Sequence, residues 1–432
     1  GNQSGFSVAT AGDVNNDGFD DVIIGAPTAD AGGGISVNKG QAYVVFGGSK
    51  ATLKALTGVD DDANLDGETD GFELDDIDGT NGFKINGDLS AVQIGASVAG
   101  GGNADGDAQS DVLVGRVSQR TGDLAQKAAI ILGDTSANLD ALNGNGSAGN
   151  DSGFDVAGID SSNGASLLGP DDPDSVADNS ILTVSFVGDL DGDGRDEMIF
   201  GQDDAEPNGA NSGQAYLVFG DTAANLGGLN QLDDAGQTSV LKFNGSSANT
   251  FVGVSVSSAG DINDDGTPDF IIGATGDTGD GVVYVVFGDD LAGLSSTLSN
   301  SATSGFNLNS LNGGNGGFKL TNGSSPVANL TAGLSVRNIG DFDGDGIDDI
   351  VVGAPGSATF RGLAFVVYGK PTGFSNIELT DLDGTNGGFQ IIGGTNSGNL
   401  GFSVSGAGDF NGDGFDDVIV GAPGVSESYI IF

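Results

Sequence analysis

"DLDGDGRDE", residues 189–197, sets five acidic side chains within nine residues and offers only Arg195 against them. Two carboxylates about 4 Å apart repel by roughly 4 kcal/mol at an effective dielectric near 20. Several around one centre multiply that cost, so a folded chain keeps them together around a cation, and otherwise the stretch is a solvated tail. The spacing separates the two readings. Asp189, Asp191 and Asp193 alternate, Gly194 follows, and Glu197 closes the run. Alternating acids ahead of a glycine curl a loop around a hard cation, and a later carboxylate binds through both oxygens. That is calcium chemistry, although the same letters in isolation also describe a plain acidic turn.

The nonamer recurs. "DVNNDGFDD" starts at Asp13, "NADGDAQSD" at Asn103, "DINDDGTPD" at Asp261, "DFDGDGIDD" at Asp341 and "DFNGDGFDD" at Asp409. With the stretch at Asp189 this makes six copies, and their starts lie 90, 86, 72, 80 and 68 residues apart. Six recurrences in one frame remove chance, and internal repeats decide the architecture.

The frame is made of strands. Before each nonamer runs a segment such as "GFSVATAG", "LTVSFVG" or "GLSVRNIG"; after it comes "VIIGAP", "VLVGRV", "MIFGQD", "FIIGAT", "IVVGAP" or "VIVGAP". A variable loop leads to a third run, "QAYVVFG", "AAIILG", "QAYLVFG", "VVYVVFG", "LAFVVYG" or "SYIIF". Five units add a fourth, read as "GFKING", "GFDVAG", "VLKFNG", "GFKLTN" and "GFQIIG". β-Branched and aromatic runs bounded by Gly, Asn and Asp are strands. Four antiparallel strands repeated six times predict an all-β fold, a β-propeller of six four-stranded blades forming a single domain over residues 1–432. The EF-hand fails as an alternative. Its twelfth position should be Glu, whereas Ile24, Val114, Phe200, Ile272, Val352 and Val420 stand there, and its flanks should be helices.

Composition narrows the function. The chain has 432 residues, 80 of them Gly, and 13 Lys+Arg against 61 Asp+Glu, for a net charge of −48. Such charge excludes a nucleic-acid backbone as partner, and no apolar run is long enough for membrane insertion. Without Cys or His, thiol and imidazole chemistry is missing and zinc or copper sites are disfavoured. Opening on Gly1, the sequence reads as a processed product or a fragment.

The combination of "FS…V", "DxDxDGxxD" and "GAP" resembles the FG-GAP repeats of integrin alpha-subunit propellers and of their bacterial relatives, over essentially the whole chain. "IDGTNGFKING" (77–87) and "LDGTNGGFQIIGG" (382–394) are similar to the bacterial branch. The resemblance places calcium in the hairpin between the first and second strands of each blade. Carried over, site one takes Asp13, Asn15, Asp17, Asp21 and the Phe19 carbonyl. Site three takes Asp189, Asp191, Asp193, Glu197 and the Arg195 carbonyl, with Glu197 longer than the usual Asp. Site four takes Asp261, Asn263, Asp265, Asp269 and the Thr267 carbonyl; site five Asp341, Asp343, Asp345, Asp349 and that of Ile347. Site six takes Asp409, Asn411, Asp413, Asp417 and the Phe415 carbonyl. Site two departs: Asn103 replaces Asp and Ala108 the bend glycine, beside Asp105, Asp107 and Asp111, so of up to six calcium ions it holds the weakest. These ligands contain 20 of the 61 acidic side chains, so calcium does not account for the whole acidity.

What the resemblance implies is a non-catalytic, calcium-stabilised extracellular propeller, used in cell adhesion or in cell-surface or filament assembly, with a protein or glycan at the cell surface as partner. Extracellular modules bind calcium at about 10⁻⁴–10⁻³ M, which suits that location. The alternative is the propeller domain of a secreted hydrolase or lyase acting on polysaccharide or phosphodiester. Asp171, Asp172 and Asp174 form the best acidic cluster outside the loops. Partner binding is expected opposite the calcium hairpins, on the variable segments 26–40, 116–127, 160–180 and 202–213. The sixth unit stops at its third strand, "SYIIF", without an outer strand: either the chain is cut from a longer one, which could add a seventh blade, or strand donation by another molecule completes the edge, a route to self-assembly.

Overall fold

The computed structural model describes residues 3–29, 38–56, 77–87, 93–117, 127–135, 154–160, 162–168, 181–229, 239–276, 280–289, 305–313, 316–322, 330–356, 361–385 and 387–432, with positions 74, 138–139, 232 and 291. Asp171, Asp172 and Asp174, and much of 26–40, 116–127 and 160–180, lie outside them. The fold is all-β, a β-propeller of six blades, and among the described residues its helices are short, the longest being Lys50–Leu56.

Blade 1 runs Ser7–Gly12, Asp21–Ala26, Gln41–Val45, Gly82–Asn86, and blade 2 runs Ile94–Gly102, Asp111–Arg116, Lys127–Ile131, Gly164–Leu168. Blade 3 is Thr183–Gly188, Glu197–Gln202, Gln214–Val218, Val240–Asn244, and blade 4 is Val252–Gly260, Asp269–Ala274, Val282–Val286, Gly317–Thr321. Blade 5 is Ser335–Gly340, Asp349–Ala354, Leu363–Val367, Gly388–Ile392; blade 6 has Ser403–Gly408, Asp417–Ala422 and Glu427–Ile431. These strands pair antiparallel in chain order. Blades 1 and 2 with the helix Ala223–Leu226 form one compact unit, and blades 3 to 6 form another.

The apolar runs explain the core. The second strands of blades 2 to 5 are buried at all six positions, so they read as continuous rather than alternating apolar sequence. Within the second unit, Ile199, Leu217 and Phe243 of blade 3 pack with Phe270, Ile272 and Tyr284 of blade 4. Ile271, Val283 and Phe318 of blade 4 pack in turn with Ile350, Val352 and Phe365 of blade 5. In the first unit Ile23, Val44 and Phe83 pack against Val112, Val114 and Ile131.

One strand lies elsewhere than the sequence reading put it. "GFDVAG" (153–158) is not the fourth strand of blade 2: Phe154–Asp155 pairs in parallel with Ile85 and Asn86 of blade 1, and a 3₁₀ turn follows at Val156–Gly158. The fourth strand is "GASLL", Gly164–Leu168, paired with Lys127–Ile131. Two-residue strands at Phe306–Asn307 and Ile377–Glu378 likewise lie parallel to the outer strands of blades 3 and 4. In each case the segment between a blade's third and fourth strands first visits the outer edge of the preceding blade. The turn before the fourth strand carried the signal. Asp160 N–H donates to the Asn163 side chain at 2.8 Å, as Asp78 does to Asn81 at 3.1 Å, so "IDSSNGA" is the counterpart of "IDGTNGF" with Ala165 in place of Phe83.

Candidate metal loops

Each nonamer joins the first and second strands of a blade, and each is preceded by a β-bulge. The register slips between Thr10 and Gly12, Gly100 and Gly102, Phe186 and Gly188, Ser258 and Gly260, Asn338 and Gly340, and Gly406 and Gly408. A bulge bends its strand and re-aims the residues beyond it, so every loop leaves its sheet in the same way.

Number the loop positions one to nine. In five loops the position-one carboxylate accepts through Oδ2 from the position-six glycine N–H. The pairs are Asp13–Gly18 (2.8 Å), Asp189–Gly194 (2.9 Å), Asp261–Gly266 (2.8 Å), Asp341–Gly346 (2.9 Å) and Asp409–Gly414 (2.9 Å). Those glycines sit at φ +88° to +95°, a conformation L side chains rarely adopt. In all six loops position three (Asn15, Asp105, Asp191, Asn263, Asp343, Asn411) accepts from the N–H of position five. Position five (Asp17, Asp107, Asp193, Asp265, Asp345, Asp413) accepts from the N–H of position seven. The N–H groups of Phe19, Arg195, Thr267, Ile347 and Phe415 are thereby fixed; ligation by their carbonyls stays an expectation.

The ninth residue is the anchor. Asp21, Asp111, Glu197, Asp269, Asp349 and Asp417 are buried to 1% exposure or less. One carboxylate oxygen accepts from the N–H of position two (Val14, Ala104, Leu190, Ile262, Phe342, Phe410). In the first five loops the other accepts from a glycine ending the third strand: Gly47 (2.7 Å), Gly133 (2.8 Å), Gly220 (3.3 Å), Gly288 (2.9 Å) and Gly369 (2.8 Å). Sequence reasoning missed those glycines, though every third strand but the last is followed by one. A Cβ on Gly288 would stand 2.1 Å from the Pro268 carbonyl oxygen, and one on Gly47 2.1 Å from that of Asp20.

Burial pushes the anchoring acids of the first five loops up, backbone hydrogen bonds oppose it, and neighbouring loop carboxylates add to it. Asp21 rises to about 6, Asp349 to about 7, and Asp111, Glu197 and Asp269 to about 8. A cation would supply the missing countercharge. Among the described residues, oxygens of Asp189, Asp191 and Glu197 lie within 4.8 Å of one another, as do those of Asp341, Asp343 and Asp345. These are the two loops with an acid at both position one and position three. No such trio of acids gathers in the other four loops among the described residues; loops 1, 4 and 6 have Asn at position three, loop 2 at position one. In loop 3 the Arg195 side chain, seen from sequence only as a carbonyl donor, pairs with Asp193 Oδ2 at 2.8 Å and competes for that oxygen. The donors are oxygen throughout, the set a hard cation takes, so the acidic clusters fit a metal such as calcium.

Loop 2 is built differently. Asn103 accepts from Gly106 N–H at 2.8 Å, and its amide donates to the Asp107 carbonyl at 2.8 Å. Ala108 N–H turns to the Gln109 side chain at 3.1 Å. The remaining predicted residues, Asp105, Asp107 and Asp111, keep the bonds of their counterparts.

Among known families, the FG-GAP repeat matches residues 4–45, 333–367 and 400–430. The chain is 31% identical to integrin alpha-V of Gallus gallus over 259 residues, 59% of this chain and 21% of that protein. It is 36% identical to integrin alpha-5 of Xenopus laevis over 99 residues, 23% of this chain and 9% of that one. It is also 36% identical to phosphatidylinositol-glycan-specific phospholipase D of Rattus norvegicus over 140 residues, 29% of this chain and 16% of the enzyme. The matches thus take in under a quarter of each relative's length. Among the described residues no helix is long and apolar enough to cross a membrane. Matched repeats, similarity to integrin alpha chains and six bladed sheets agree: this chain carries FG-GAP repeats on a β-propeller fold.

Proposed function

We propose that the chain is a non-catalytic, calcium-stabilised extracellular propeller domain, used for adhesion or surface assembly with a protein or glycan as partner. The observation that carries this is the position-one-to-six clamp, repeated in five loops with the same bonds around an all-oxygen donor set. Similarity to integrin alpha chains supports the adhesive and extracellular reading. Calcium's work here is mechanical. It neutralises each loop's carboxylates and holds the hairpin after the first strand. Loop 202–213, opposite the hairpins in the topology of blade 3, is well formed: Asn208 binds the Gly245 carbonyl at 2.7 Å and Ser212 is buried. It supports the partner face on that side. Strand donation stays part of the proposal, supported by the outer edges that already accept short parallel strands.

The test is thermal melting in excess chelator and in millimolar calcium. A substantially lower melting temperature in chelator supports the reading, and superimposable curves overturn it. The match to a phospholipase favours a second reading, a propeller accompanying a secreted hydrolase. Binding of a phosphodiester or polysaccharide substrate by the purified chain, with turnover by the full-length protein, would establish that reading instead.

A further inference from the structure

We infer that loop 2, residues 103–111, is a metal-free hairpin, closed by the Asn103 amide in the place where the other five loops hold a cation. The inference rests on the calcium reading of those five and departs from it at one blade.

An Asp at position one brings two acceptor oxygens. In the other five loops Oδ2 receives the position-six N–H and Oδ1 receives that of position four or five. An Asn brings one acceptor and one donor. In loop 2 the oxygen is taken by Gly106 N–H, and the NH₂ stands where the second oxygen would be, donating to the Asp107 carbonyl at 2.8 Å. A group that donates cannot accept, so Ala108 N–H loses its partner on position one and turns to Gln109 instead. The backbone changes with it. Positions four and six both have positive φ in the other five loops, whereas in loop 2 Gly106 does, at +78°, and Ala108 does not. A left-handed residue carrying a Cβ costs roughly 1–2 kcal/mol, which the alanine avoids by not making the clamp. A positively polarised NH₂ in place of a carboxylate oxygen also opposes a cation.

The loop nevertheless keeps both anchors, Asp111 receiving Ala104 N–H at 2.7 Å and Gly133 N–H at 2.8 Å. It keeps its ties to the neighbouring segments as well. Ser110 N–H donates to the Asp13 carbonyl at 3.0 Å, and Asp221 N–H to that of Ala104 at 3.0 Å. Loop 2 is therefore already closed by its own hydrogen bonds.

Hydrogen exchange on the full chain, in calcium and in chelator, tests this hairpin by hairpin. Chelation is expected to speed exchange by about tenfold or more in loops 1, 3, 4, 5 and 6 and to leave 103–111 unchanged apart from Ser110, whose N–H is bonded to loop 1. The double variant Asn103→Asp/Ala108→Gly should make 103–111 respond like the others and add one calcium ion to the count by native mass spectrometry. Wild-type 103–111 responding with the other five overturns this inference alone. No response in any loop overturns the calcium reading and this inference with it. A double variant that folds yet gains neither the ion nor the response also overturns it, because those two residues would not be what excludes the metal.

Discussion

At the scale of single residues, the anchoring acid controls each loop. Asp269 joins position two of its own loop to the glycine at the end of the third strand, so one side chain ties its loop to a residue 19 positions further along the chain. Its carboxyl is pushed up to about 8 by burial, with Asp111 and Glu197 beside it in value and Asp349 and Asp21 at about 7 and 6. An acid whose folded value is raised binds its proton more tightly when folded. The stability it lends the calcium-free protein is fully present below the ordinary carboxylate range near pH 4 and is lost as pH rises through about 6 to 8. Calcium requires the ionised form and acts against that loss. The difference in melting temperature between calcium-loaded and chelated protein should therefore widen from pH 5 to pH 8; a constant difference would show that these groups do not titrate in that window. A second residue-scale outcome concerns Gly317, at φ +143°, where a Cβ would lie 2.0 Å from the Val285 carbonyl oxygen. Gly317→Ala should cost about 1–3 kcal/mol in urea unfolding, and a smaller loss would mean the strand start shifts freely.

At the scale of elements, neighbouring loops interlock through position eight. Asp348 of blade 5 accepts the N–H of Asp261 in loop 4 at 2.9 Å, and Asp416 of blade 6 accepts that of Asp341 in loop 5 at 3.0 Å. A Cβ on Gly260 would meet the Asp348 carboxylate, so the fit depends on the bulge glycine. Asp348→Ala should destabilise by about 1–2 kcal/mol and loosen amide exchange in loop 4 while leaving the bonds within loop 5 protected. Loosening of loop 5 alone would refute the interlock. None of this was legible in the sequence, because position eight varies among Asp, Ser and Pro and its partner lies in another repeat. The loops themselves were legible, since their ligating pattern fits inside nine residues. The blade 2 strand was misread for a related reason: Ala165 stands where Phe83, Phe318 and Phe389 mark the fourth strand elsewhere, so the "GF" at 153–154 drew the assignment. The turn "IDSSNG" was the better guide, being fixed by hydrogen bonds rather than by packing.

At the scale of the whole molecule, charge sets the conditions under which six blades persist. The chain carries −48, and the 20 acidic side chains expected as ligands are a minority of its 61. On the proposed calcium reading, the ion would relieve local repulsion in the hairpins and leave a strongly anionic surface. The two contributions respond differently to simple salt. Exposed charges more than a Debye length apart are screened, and that length falls from about 30 Å at 0.01 M to about 3 Å at 1 M. Carboxylates a few ångströms apart in the loops are screened far less. Added sodium chloride should thus raise the melting temperature of the chelated protein by relieving self-repulsion across the surface, yet leave it below that of the calcium-loaded protein even at about 1 M. If that much sodium chloride restored the calcium-loaded melting temperature in full, the ion would be acting as diffuse countercharge, and the loops would not be its sites. If salt had no effect on the chelated protein, the surface charge would be energetically silent, and its excess would belong to solubility or partner choice rather than to stability.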